Sequence, residues 1–176
     1  MSILPSNGEV AVKLLEYALL VEGEEYWRRL ERLRREALSV MRVLEEFDPR
    51  LVGSVWRGII KPGSDIDIEV DYEDPDPVKE KLEKSGYPVL EEGAIEVPEP
   101  LRFGSLWRLK FQTSGGTMAE VILKEHKWYL NPPRCDIFGD VKRGLKPAEL
   151  AEVLAESPRK LFIPENLKEL LRESLN

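Results

Sequence analysis

Apolar residues recur every three or four positions across the first 47 residues, and every second position in two later segments. The first pattern predicts amphipathic helices and the second predicts half-buried strands. Ser6-Asn7-Gly8-Glu9 has the spacing of a capping box ahead of an apolar run, which sets a helix over about 8–22. Gly23 interrupts. Trp27, Leu30, Leu33, Ala37, Val40, Leu44 and Phe47 then mark one face of a second helix, over about 24–47, stopped by Asp48-Pro49. Leu51-Val52 begins a short strand that ends at Gly53-Ser54. A helical turn over 55–60 and a turn at Lys61-Pro62-Gly63-Ser64 follow. Acid and apolar residues alternate strictly from Asp65 to Tyr72, as in a strand. Asp74-Pro75 opens a helix to about Ser85. Residues 88–100 are rich in Pro and Glu, with room for one short strand. Leu106–Gln112 and Met118–Leu123 read as strands joined by the Thr113–Thr117 turn. The chain is then expected to be irregular to about 145, with helices over about 147–156 and 165–174. The expected class is α+β: a small mixed sheet with flanking helices, extra helices at the N-terminus and a C-terminal helical segment.

At 176 residues the chain suits one domain that folds without covalent staples. A single cysteine, Cys135, and a single histidine, His126, exclude an intrachain disulfide and four-ligand zinc sites built from Cys and His. Motifs for P-loop, Rossmann and α/β-hydrolase chemistry are absent. With 26 basic and 33 acidic residues the net charge is −7, so any polyanion contact must come from a local patch. The opening MSILPSNGEV has no basic stretch leading into an apolar core, and Val10–Val21 is broken by Lys13 and Glu16. A cytoplasmic protein without a membrane partner is expected. The abundance of charged residues, 34%, beside four Asn and one Gln, is a composition typical of thermophile proteins. Arg28, Arg29, Arg32 and Arg35 on the second helix read as a solvated face with i,i+4 partners, or as a stripe for RNA or another partner.

The chemistry gathers between residues 53 and 68. Asp65, Asp67, Glu69 and Asp71 share one strand face, about 6.6 Å from one to the next. Like charges so close are costly unless neutralised. Magnesium, which takes carboxylate, phosphate and water oxygens, would neutralise them. An exposed acidic edge strand is the plainer reading, and the better one for Glu69 and Asp71. Upstream, Gly53 permits close backbone approach, Ser54 offers a hydroxyl, and Arg57 and Lys61 bring positive charge. Acids dominate from Asp65 to Glu99, whereas Leu101 to Arg134 carries net positive charge, with Arg108 and Lys110 on the strand face opposite Trp107 and Phe111.

Gly53-Ser54, Arg57-Gly58 and Ser64-Asp65-Ile66-Asp67-Ile68 together resemble the signature of the DNA polymerase β-like nucleotidyltransferases. The form is that of the minimal nucleotidyltransferases, G-S-x-A-R-G-x5-S-D-x-D-[IL], with Trp56 in place of the usual Ala. The resemblance is sharp over 53–68 and extends by strand order over about 30–125. It implies one nucleotidyltransferase domain, with N-terminal helices over 1–47, a catalytic core over 48–125 and a C-terminal extension over 126–176. It also implies transfer of NMP from an NTP, with ATP the expected substrate, to a hydroxyl acceptor. The acceptor is open: a protein hydroxyl, a small molecule or an RNA end. Asp65 and Asp67 would hold two Mg²⁺ ions, or Mn²⁺, with a third carboxylate from a later strand. Glu120, the one acid inside the apolar Met118–Leu123 strand, fits that role, and Glu125 is the fallback. Gly53, Ser54, Arg57 and Ser64 would bind the nucleotide. A non-catalytic nucleotide-binding or antitoxin-like module with a protein partner is the alternative. His126 and Cys135 read as structural, and Trp56, Trp128 and Tyr129 as packing residues or as stacking platforms for a base.

Overall fold

A computed structural model describes residues 4–175, with side chains to residue 173. Helix α1 (Asn7–Glu22) starts with the expected capping box: Glu9 N–H donates to Ser6 Oγ at 3.2 Å and Ser6 N–H to the Glu9 carboxylate at 2.6 Å. Gly23, at φ +59°, turns the chain into α2 (Glu24–Val43). The second helix ends sooner than its apolar spacing suggests. Leu44 N–H is shared between Val40 and Met41, and Glu45–Phe47 tightens into a 3₁₀ turn that Asp48 closes at φ +51°.

Strand β1 (Arg50–Val52) leads directly into α3 (Gly53–Arg57), then β2 (Ile66–Val70) and α4 (Pro75–Lys84), which Asp74 caps. The acid-rich segment that follows holds β3 (Val89–Ala94) and a short α5 (Glu99–Arg102). Strands β4 (Ser105–Gln112) and β5 (Met118–Lys124) form the expected hairpin. The stretch expected to be irregular contains α6 (His126–Leu130) before α7 (Pro147–Glu156) and α8 (Glu165–Leu175) close the chain.

The five strands make one mixed sheet in the order β1-β2-β5-β4-β3, with β2 and β5 parallel and the other pairs antiparallel. Alternation puts Ile66, Ile68, Val70, Ala119, Val121, Leu123, Leu109 and Phe111 on one buried face. Against it pack Leu30, Leu33, Ala37, Val40 and Met41 of α2 and Val78 and Leu82 of α4. The C-terminal helices lie on the first two, α7 on α2 and α8 on α1. Residues 132–145 are drawn onto the sheet by Leu145, which exchanges both backbone hydrogen bonds with Leu51 at 2.7 and 2.9 Å. Among the described residues no helix is long and apolar enough to cross a membrane.

Candidate active site

The second face of the sheet carries the acids. Val52 of β1, Asp67 of β2 and Glu120 of β5 stand side by side in register. Gly53 follows at φ +74°, and a Cβ added there would lie 2.5 Å from Asp67 Oδ2. The carboxylate therefore occupies the space that any other residue at 53 would fill. The close approach that this glycine permits is made by Asp67 itself.

Short as it is, α3 is firmly braced. Arg34, fully buried, donates Nε to Val55 O at 3.0 Å, Nη2 to Trp56 O at 2.8 Å and Nη1 to Pro158 O at 2.9 Å. Its charge thus sits on the C-terminal carbonyls of α3, where a cation is favoured. Burial pulls its pKa down to about 10. Tyr26 Oη donates to Gly58 O at 2.7 Å and accepts from Ile60 N–H at 2.9 Å, and its burial raises its pKa to about 12. Arg57 is used in the same structural way. It grips Asp140 with both Nη atoms at 2.7 and 3.0 Å and Phe162 O at 3.0 Å, between the rings of Trp56 and Phe138 at 4.4 and 4.5 Å. It borders the cleft but is committed to the 132–145 loop.

Two of the strand acids have partners. Glu69 receives Arg50 Nε at 3.0 Å and Nη2 at 2.6 Å, and Asp71 meets His126 Nδ1 at 2.8 Å. Asp67 has neither an ion pair nor a hydrogen bond among the described residues. Burial, then the charges of Glu120, Asp65 and Glu69, push its pKa up to about 7. Glu120 is also raised by burial, against the pull of Arg108, whose Nε stands 3.8 Å away, and of Lys110.

Gly53, Ser54, Arg57, Asp67 and Glu120 line one cleft of about 470 Å³. Its far wall comes from the 132–145 loop: Cys135, Ile137, Phe138 and Lys142. Ser64 and Asp65 face a second groove instead. There Ser64 Oγ accepts Lys61 N–H at 2.9 Å and closes the turn. Glu125 lies outside the cleft, at the entry to α6. The aromatic residues considered for stacking are placed differently. Tyr129 is buried with its hydroxyl on Asp48 O at 2.6 Å, Trp128 packs edge-on to Phe103, and Trp56, nearly buried, reaches the cleft beside Phe162.

The loop wall is what the sequence reading missed. Its signal is the Ile137-Phe138 pair between the turn residues Asp136 and Gly139, too short to carry a period. Among the described residues no three His, Cys, Asp or Glu side chains stand close enough to form a ready metal cage. The donor chemistry nonetheless suits a hard cation. Asp67 is a half-buried carboxylate without a counter-charge, and Glu120 stands beside it across the parallel strand pair.

No protein-family model matches the chain, and no curated protein does. Solved structures do match. Cid1 in complex with the UTP analog UMPNPP is 16% identical over 54% of this chain and 30% of that one, at a TM-score of 0.39. A cytoplasmic RNA terminal U-transferase is 17% identical over 68% and 38%, also at 0.39. Terminal uridylyl transferase 4 from Trypanosoma brucei with bound GTP is 15% identical over 72% and 44%, at 0.38. The chain spans between about a third and under half of these proteins' length. The functional reading is carried by the residues of the cleft.

Proposed function

We propose that this chain is a metal-dependent nucleotidyltransferase of the DNA polymerase β-like type, with the minimal form as its nearest pattern. The observation that carries the reading is the Asp67–Glu120 pair at the floor of the cleft. One of its acids is pressed against Gly53 without a counter-charge. A half-buried acid pair offset only by Arg108, 3.8 Å from Glu120, and by Lys110 costs stability, and such costs collect where chemistry needs them.

In this reading Asp65, Asp67 and Glu120 would hold Mg²⁺, or Mn²⁺, which when bound would supply positive charge to offset that of the transferring phosphate. Ser54 donates its hydroxyl to the triphosphate. Lys142, an exposed cation on the loop wall, adds positive charge across from it. Ile122, Ile137 and Phe138 give the cleft an apolar side that suits a nucleobase. Arg57 positions that wall through Asp140. An acceptor hydroxyl attacks the α-phosphate, its proton passes to Asp67 or Glu120, and pyrophosphate leaves. ATP is the first nucleotide to test, with a protein hydroxyl, a small molecule or an RNA end as acceptor.

The test supplies each of four α-labelled NTPs with Mg²⁺ or Mn²⁺ and cell extract as acceptor pool. Wild type runs beside the Asp65→Asn/Asp67→Asn double variant. Label entering protein, RNA or a small molecule with wild type alone is the expected result and names the acceptor class. Metal-dependent NTP binding without transfer would replace the enzyme with a binding module. Equal transfer by the double variant would refute the site.

A further inference from the structure

The arginines of α2 are not equivalent. Arg28 and Arg35 meet helix partners, Glu25 at 2.8 Å and Glu31 at 3.4 Å, as the solvated-face pattern requires. Arg29 and Arg32 instead border the groove of about 290 Å³ that holds Asp65. Arg32 comes no nearer to an acid than 3.9 Å from Glu36, and the Lys61 ammonium has no ion pair or hydrogen bond among the described residues. Arg29 is held by Glu22 through its two Nη atoms, at 2.6 and 3.3 Å, while its buried Nε has no acceptor. The groove lining thus carries three cations and one acid; Glu22 offsets Arg29 and Glu36 stands 3.9 Å from Arg32, which leaves the Lys61 ammonium as the cation without an acid partner among the described residues.

The other wall is formed by two turns, with the Glu36 carboxylate occupying the space beside Gly115 and accepting from Thr113 Oγ1 at 3.0 Å. Gly63 and Gly116 have φ of +79° and +82°, and no heavy atom lies within 4 Å of where a Cβ would sit on either. Two glycine turns facing three cations leave both room and charge for a small polyanionic group. Asp65 then ties the groove to the cleft. It sits two residues before Asp67, about 6.6 Å along the strand direction, and its charge is felt by both Asp67 and Glu120.

We infer that the groove between α2 and the 61–64 and 113–117 turns is a phosphate-binding site, built on Arg29, Arg32 and Lys61, with Asp65 on its lining. The inference rests on the nucleotidyl-transfer reading for why phosphate is delivered there. The phosphate has two sources, the phosphodiester chain of an acceptor or the polyphosphate tail of the NTP.

The test uses the full chain, and Arg32→Ala/Lys61→Ala alters two exposed side chains only. The probes are a labelled single-stranded RNA octamer without a triphosphate, followed by anisotropy over a salt series, and tripolyphosphate and ATP, followed by calorimetry. An acceptor site predicts octamer binding at least tenfold weaker in the variant, with a salt slope lower by about 1.4 for two lost contacts and ATP affinity unchanged. A tail site predicts the same loss for tripolyphosphate and ATP, with the octamer unaffected. Arg28→Ala/Arg35→Ala removes equal charge from the same helix away from the groove and leaves all three probes unchanged. An equal loss there, or no loss in the groove variant, overturns the inference. A wild type that shows groove-dependent probe binding but no NTP transfer keeps the phosphate site and removes the nucleotidyl reading.

Discussion

Asp67 gives the sharpest quantitative test, because its cost can be worked out from its surroundings. An ordinary aspartate ionises near 3.8, and this one is held to about 7, chiefly by burial and then by the neighbouring Glu120, Asp65 and Glu69. The folded protein thus binds this proton more tightly than the unfolded chain does. The associated stability is fully present below pH 3.8. It drains away as pH rises towards 7 and is gone above it. The whole difference corresponds to about 4 kcal/mol, an upper bound for a half-buried group. Asp67→Asn keeps the shape against Gly53 and removes the charge. In EDTA at pH 8.5 the variant should exceed wild type by about 2–4 kcal/mol in urea unfolding. The gap should close towards pH 4, where wild type carries the proton. Added Mg²⁺ should then stabilise wild type and leave the variant unmoved, since a ligand stabilises only the state that binds it. Equal stabilities at pH 8.5, or a gap that does not narrow on acidification, would refute the argument.

Gly53→Ala should cost about 1–3 kcal/mol, from a strained left-handed backbone and from the contact with Asp67. It should also reduce transfer by more than tenfold; urea midpoints and initial rates check the two parts separately. Arg34→Met leaves the carbonyls of Val55, Trp56 and Pro158 without their donor and should cost about 3 kcal/mol or more. Faster amide exchange at Ile59 and Ile60 should accompany it, and a midpoint shift worth less than about 1 kcal/mol would speak against the brace.

Long periodic segments were legible because burial on one face repeats along them. The α2 stripe and the β2, β4 and β5 alternations are of this kind. Strand β3 was nearly invisible, since Leu90, Glu91 and Glu92 are all exposed and an edge strand without an inner face has no contrast to read. Helix α6 and the 132–145 loop have contacts far along the chain, Tyr129 with Arg50 and Asp48, Leu145 with Leu51 and Asp140 with Arg57, which no local window contains. Arg34 did leave a trace. It lies on the apolar stripe between Leu30 and Leu38, where a solvated arginine has no place, yet it sits among arginines that do face water. In the site, Asp67 and Glu120 were readable as acids at strand positions that demand a reason. The placing of Ser64 and Asp65 in a separate groove, and of Arg57 on Asp140, follows from how the turns and loop pack.

The pairing of Leu145 with Leu51 has a consequence for how copies of this protein meet one another. A sheet invites foreign strands at its two margins, and the invitation grows with temperature and concentration as chains partly open. Here the β1 margin is already taken at its centre, because Leu51 spends its outward N–H and C=O on Leu145. The β3 margin is guarded by other means, a break in register at Leu90 and the carboxylates of Glu91 and Glu92. The loop that walls the cleft thus doubles as a seal against aggregation. A change that loosens it for a larger substrate would be felt first in solubility.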